Sequence, residues 1–226
     1  MTRKLKILGI ALGAVLALNA VAASTASAEN GRFTAAVGSE VLSQIHGEQI
    51  GTDTFTISGL PSLTCTTAKE TGFLEEGGVH KKGSESTWAT FTPEYAGCHI
   101  VFLGITKSIT VTVNNCIIRF QVLIPFGISF TIECKIEIHI YNNPAHTELL
   151  CTYDVEKQTV NNQITPTNQA GTPDDILAHI NATVNVTNTT TGGLCGSTTN
   201  TTGVYKGTHT LRATNATSSF VNTTVS

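Results

Sequence analysis

From residue 29 onward, apolar and polar positions alternate one by one over much of the chain and rarely recur at helical spacing. Ile109, Val111 and Val113 alternate with Ser108, Thr110 and Thr112. Ile128, Phe130, Ile132, Cys134, Ile136, Ile138 and Ile140 alternate with Ser129, Thr131, Glu133, Lys135, Glu137, His139 and Tyr141. Ala178, Ile180, Ala182, Val184 and Val186 alternate with His179, Asn181, Thr183, Asn185 and Thr187, and weaker versions run from Trp88 to Thr92 and from Val204 to Ala213. A period of two turns one face to a core and the other to water, the signature of antiparallel sheets. Gly, Asn and Pro punctuate these runs as turns do. The segments closest to a helical stripe, Glu40 to Gln49 and Pro173 to His179, are short and leave room for a turn or two of helix and no more. The chain therefore reads as all-β, an antiparallel β-sandwich-like domain.

The stretch CIIRFQVLIPFGISFTIEC, from Cys116 to Cys134, predicts one hairpin in detail. With the turn centred on Pro125, facing residues have numbers that sum to 250, which opposes Val122 with Ile128, Phe120 with Phe130, Ile118 with Ile132 and Cys116 with Cys134. All these pairs belong to the core-facing set, and a slip of one residue would turn one strand's apolar set to water. Directly opposed residues have Cα atoms roughly 4.5 to 5.5 Å apart, within disulfide range, so Cys116 with Cys134 is the best-defined bridge. Cys65, Cys98, Cys151 and Cys195 still allow three pairings; Cys65 with Cys98 and Cys151 with Cys195 are favoured because each closes a local loop without crossing the hairpin. The run from Ile128 to Tyr141 would span roughly 45 Å as one strand, so a bend or break is expected near Cys134 to Ile136.

Before residue 29 the pattern changes. Arg3, Lys4 and Lys6 precede an apolar run from Ile7 to Val21, and Ala26, Ser27 and Ala28 follow as a small-x-small site. This is the layout of an export signal, so residues 1–28 are expected to be cleaved and 29–226 to form the secreted, extracellular domain, with one core or two divided near Gly104. No cysteine near the cleavage site could accept a lipid and the C-terminal residues are polar, so no membrane span is expected after cleavage. Losing the signal removes three of 13 basic residues and none of the 16 acidic ones, leaving a net charge of −6. That balance argues against nucleic acid as a partner, since such binding needs clustered Lys and Arg. The basic pair Lys81 and Lys82 beside His80 reads as a solvated turn.

All six cysteines fall in the exported part, an even number that in an oxidising compartment means three disulfides. Zinc would want CxxC-like pairs, whereas the two closest cysteines are 18 apart, so no metal and no other cofactor is implied. No catalytic residue is assigned either. GxSxG, HExxH, GxxxxGK and acidic calcium loops are missing from the sequence, and the seven histidines are scattered. Glu133, Glu137 and His139 share one strand face and could hold a metal or do acid and base work. Lys135 lies between the two glutamates on that face, which reads better as a solvated ion-pair row. Trp88, the single tryptophan, reads as core packing. Six N-x-Ser/Thr sequons, at Asn181, Asn185, Asn188, Asn200, Asn215 and Asn222, follow from a Thr- and Asn-rich final third and would carry glycans only in a glycosylating host.

The series SLTCTTAKE, TWATFTPEYAGC, ITVTVNNC, FTIEC, LLCTYDV and GVYKG resembles secreted, cysteine-containing, β-rich proteins of actinobacterial-type soil bacteria, over most of the exported region. The resemblance implies bacterial export and brings no reaction, ligand or functional residue with it. Two functions are carried forward. The first is a non-catalytic binding or cell-envelope-associated module whose partner would be an envelope component or extracellular polymer. The second is a secreted hydrolase with dispersed catalytic groups, for which Glu133, Glu137 and His139 are the candidates. An enzyme should show a concave pocket that gathers carboxylates or histidines, and a contact module a flat face.

Overall fold

The computed structural model describes residues 29–226 apart from 39–40, 42–43, 77–78, 81, 84, 125–126, 172, 191–194 and 196–199. The export signal at 1–28, the turn residue Pro125 and Lys81 thus lie outside the described residues. The described chain is strand and turn throughout, without helix. It opens with β1 (Glu29–Asn30), β2 (Phe33–Ala35), β3 (Gln44–Gln49), β4 (Asp53–Ile57), β5 (Leu63–Cys65) and β6 (Thr67–Glu76). Next come β7 (Val79–His80), β8 (Glu85–Ser86), β9 (Trp88–Ala96), β10 (His99–Phe102), β11 (Ile105–Thr112) and β12 (Ile118–Ile124). The second half holds β13 (Gly127–Ile132), β14 (Ile136–Tyr141), β15 (Leu149–Val155) and β16 (Gln158–Gln169). It ends with β17 (Asp175–Asn188), β18 (Asn200–Thr214), β19 (Phe220–Val221) and β20 (Thr223–Val225).

Neither segment with room for a helical turn shows one among its described residues: Gln44–Gln49 is strand, and β17 begins at Asp175. In β3, Ile45 and Gly47 are buried while Gln44 and Glu48 are exposed, a period of two that is hard to see in so short a run. Flanking ladders to β6 and β18 override the local preference. The region from Pro173 to His179 feeds directly into β17, whose apolar positions alternate to Val186.

Most of the strands join end to end into eight long lanes. β3 and β4 form the first, β5 and β6 the second, β9 and β10 the third, β11 and β12 the fourth, β13 and β14 the fifth, β15 and β16 the sixth. β17 and β18 are single lanes in themselves. Each lane pairs antiparallel with the next in sequence, and β18 pairs back onto β3 and β4, so the ladder closes. The product is a closed, sandwich-like up-and-down barrel whose facing walls pack their inward side chains together. The buried apolar residues form one cluster that draws on both sides of Gly104, from Phe33 to Ala213.

The fourth and fifth lanes carry the predicted hairpin. Ile118 opposes Ile132, Phe120 opposes Phe130 and Val122 opposes Ile128, the register that burial demands. The expected break in the long run is present as well, between Ile132 and Ile136. It is one of a series, since the first lane breaks at residues 50–52, the second at Thr66, the third at 97–98, the fourth at 113–117 and the sixth at 156–157. Together the breaks form a waist across six of the eight lanes, while β17 and β18 run through unbroken. Two disulfides sit there: Cys65–Cys98 joins the second and third lanes, and Cys116–Cys134 joins the fourth and fifth, with Cα atoms 5.2 Å apart. Cys151–Cys195 ties β15 to the connection between β17 and β18. Where the ladder is interrupted, covalent links hold neighbouring lanes together. Three intramolecular disulfides belong to an oxidising environment, extracellular or periplasmic.

One end of the barrel is covered by a small sheet in which β2 lies between β20 and β8. Phe33 drops into the core from it, 1% exposed, and the buried Thr223 hydroxyl accepts from the Ala213 amide of β18.

Candidate functional site

Among the described residues, two carboxylates and a histidine gather at one place in the barrel interior. Along β18 the inward positions of GVYKGTH read Gly203, Tyr205, Gly207 and His209, continuing to Leu211 and Ala213. His209 is held from two sides: Nε2 lies 2.7 Å from Asp53 Oδ2 at the start of β4, and Nδ1 lies 2.8 Å from Glu70 Oε1 in β6. The Tyr205 hydroxyl donates to the same Asp53 oxygen, and Tyr95 of β9 hydrogen-bonds Tyr205. The His209 and Asp53 side chains are each 2% exposed and that of Glu70 12%.

Two glycines make this cluster possible. A Cβ on Gly47 would stand 2.1 Å from Glu70 Oε2, and one on Gly207 would stand 2.2 Å from Asp53 Oδ1. Both strands therefore give up a side chain so that a carboxylate can lie against the backbone.

Burial acts to lower the pKa of His209, but the hydrogen bonds to Asp53 and Glu70 outweigh it and push the imidazole up to about 9. At neutral pH the ring carries both protons and donates one to each carboxylate. Burial is also the main cause that raises the Tyr95 and Tyr205 hydroxyls, reinforced for Tyr95 by the charges of Glu70 and Asp53. Both tyrosines stay neutral. Two carboxylates thus flank a single imidazole in the barrel interior. Asp53 Oδ1, moreover, is buried with no hydrogen-bond partner among the described residues.

Beside this polar pole lies a cavity of about 120 Å³ at the waist. Asp53, Glu70, Tyr95 and Tyr205 form one part of its wall, and Phe91, Phe120, Ile132, Ile138, Ala182 and Val184 are among the apolar residues that form the rest.

The residues singled out in the sequence lie elsewhere. Glu133, Glu137 and His139 are on the outer wall, and the structure pairs them as a surface row. Lys135 Nζ lies 2.5 Å from Glu137 Oε1 and 3.3 Å from Asp154 Oδ2. Glu133 Oε1 lies 2.7 Å from Arg119, which also reaches Glu75 at 3.1 Å. His139 Nε2 is 3.7 Å from Glu137, and its ring meets Tyr141 edge-on. The Lys135 contact holds the Glu137 carboxyl below its ordinary range, as an ion pair should. Trp88 is half-buried and has the outward parity of β9, opposite Glu75 and Gln121, while Ala89 and Phe91 take the core positions. Of the sequon residues, Asn188 is buried and its amide donates to the Cys195 carbonyl.

The sequence reading missed the interior cluster. His209 counted as one of seven scattered histidines, and Asp53, Glu70, Tyr95 and Tyr205 drew no notice. The available signal was parity, since His209 shares the register of Leu211 and Ala213 and so had to point inward. No family model, curated protein or solved structure matches the chain.

Proposed function

We propose that the protein is an exported, non-catalytic binding protein that takes a small ligand into the interior of its barrel. The observation that carries this reading is the cavity of about 120 Å³ walled by aromatic and aliphatic side chains with one polar pole. Engineered apolar cavities of about 150 Å³ stay dry and bind benzene, so the space suits a compact apolar group. The signal-like layout of residues 1–28 and the three disulfides support export.

The cavity does gather two carboxylates, with His209 bonded to them, as an enzyme's would, but the chemistry points to holding. A general base needs a free lone pair near neutral pH, and both nitrogens of His209 are protonated and bonded to carboxylates. The outer row of Lys135, Glu137 and Glu133 is likewise spent on its own ion pairs. Methyl NMR of the disulfide-intact exported chain titrated with benzene tests the proposal. Shifts confined to cavity residues such as Ile132, Ile138 and Val184 are expected, and an unchanged spectrum at saturating benzene would overturn it.

A further inference from the structure

We infer that the ligand is a compact primary amine, its ammonium head held by Asp53 and its hydrocarbon body of about five carbons filling the rest of the cavity. This rests on the interior binding reading above and specifies its ligand.

Three observations converge on that head group. The polar pole holds two carboxylates, Asp53 and Glu70, against the single imidazole of His209, so its acidic groups outnumber its basic one. A buried charge is tolerated only when paired and hydrogen-bonded, and a ligand ammonium would supply such a partner. Asp53 lines the cavity, and its Oδ1 accepts nothing from the described residues although it is fully buried. An ammonium brings three donors to such an acceptor, and the Tyr95 and Tyr205 oxygens on the same wall can accept from the others. The remaining lining is hydrocarbon and aromatic, which suits a body without further polar groups. A ligand carboxylate, in contrast, would be driven against two like charges in a medium that screens them poorly.

The test uses the disulfide-intact exported chain and one small ring with three heads: cyclopentylamine, cyclopentanol and cyclopentanecarboxylate, each measured by calorimetry and by competition with benzene. The amine is expected to bind at least about tenfold tighter than the alcohol, the gain of one charge-assisted hydrogen bond, with the carboxylate weakest. Asp53→Asn keeps the shape of the site and should abolish the preference for amine over alcohol. If benzene binds but the amine shows no advantage over the alcohol, the head-group assignment is overturned and interior binding stands. Should neither benzene nor any of the three compounds bind, both proposals fall together.

Discussion

His209 lies 2.7 Å from Asp53 across the seam where the last long strand meets the first, 156 residues away in the chain. The same imidazole reaches Glu70 one lane further on, so a single side chain links three lanes inside the closure. Backbone pairing of β18 with β3 and β4 makes the seam continuous, and the buried ion cluster fixes it from within.

Stability should therefore depend on pH through His209. Its folded pKa, about 9, lies above the ordinary value of 6.5, so the stabilisation is complete below pH 6.5 and is lost as pH rises through 9. Urea titrations should show a fall of about 3 kcal/mol over that window. His209→Gln, less stable at neutral pH, should show no such fall there, and an identical alkaline slope in wild type and variant would contradict the assignment.

Filling either interior glycine should disturb the cluster. In Gly207→Ala or Gly47→Ala the new methyl carbon would stand 2.2 or 2.1 Å from a carboxylate oxygen, well inside van der Waals contact, so Asp53 or Glu70 has to move off His209. A loss of roughly 1–3 kcal/mol is expected for each, as for other overpacked sites. Gly38→Ala, whose Cβ would meet nothing within 4 Å, is the control and should leave the unfolding midpoint in place.

The waist staples should matter more than their number suggests. Replacing Cys116 and Cys134 together by Ser reopens an 18-residue loop where the fourth and fifth lanes have no ladder of their own. Thermal unfolding should register a loss of about 3 kcal/mol. Full reduction of all three bridges should unfold the chain at room temperature, seen as loss of its β circular dichroism.

On the outer wall the expectation is reversed. Glu137→Gln with His139→Ala removes the best surface candidates for chemistry, yet it should leave benzene binding and the folded spectrum unchanged, because these groups face away from the cavity.

Much of this architecture was legible from alternation. A period of two fixes which face of a strand is buried, and for Cys116 to Cys134 it fixes the register too, because only one register buries both apolar sets and opposes the cysteines. Pairing of β18 with β3 was not legible, since alternation says which way a side chain points and nothing about which distant strand lies alongside. The strand at Gln44–Gln49, where a helical turn was allowed, was hidden for a related reason: its neighbours in the ladder lie far away in the chain and impose the extended form. The interior cluster escaped notice because each member is polar and isolated in sequence. Asp53, Glu70 and His209 become a site only when closure brings the first, second and last lanes side by side.

Closure has a further consequence for how the protein behaves in a crowd of its own copies. A flat sheet ends in a row of unpaired amides and carbonyls, the template on which other chains add and fibrils grow. Here the eight long lanes each have a partner on both sides, and among the described residues the ladders end in short outlying strands such as β7 and β19. Strand-by-strand polymerisation has no long template to start from, so concentrated samples should resist amyloid-type growth for as long as the seam holds.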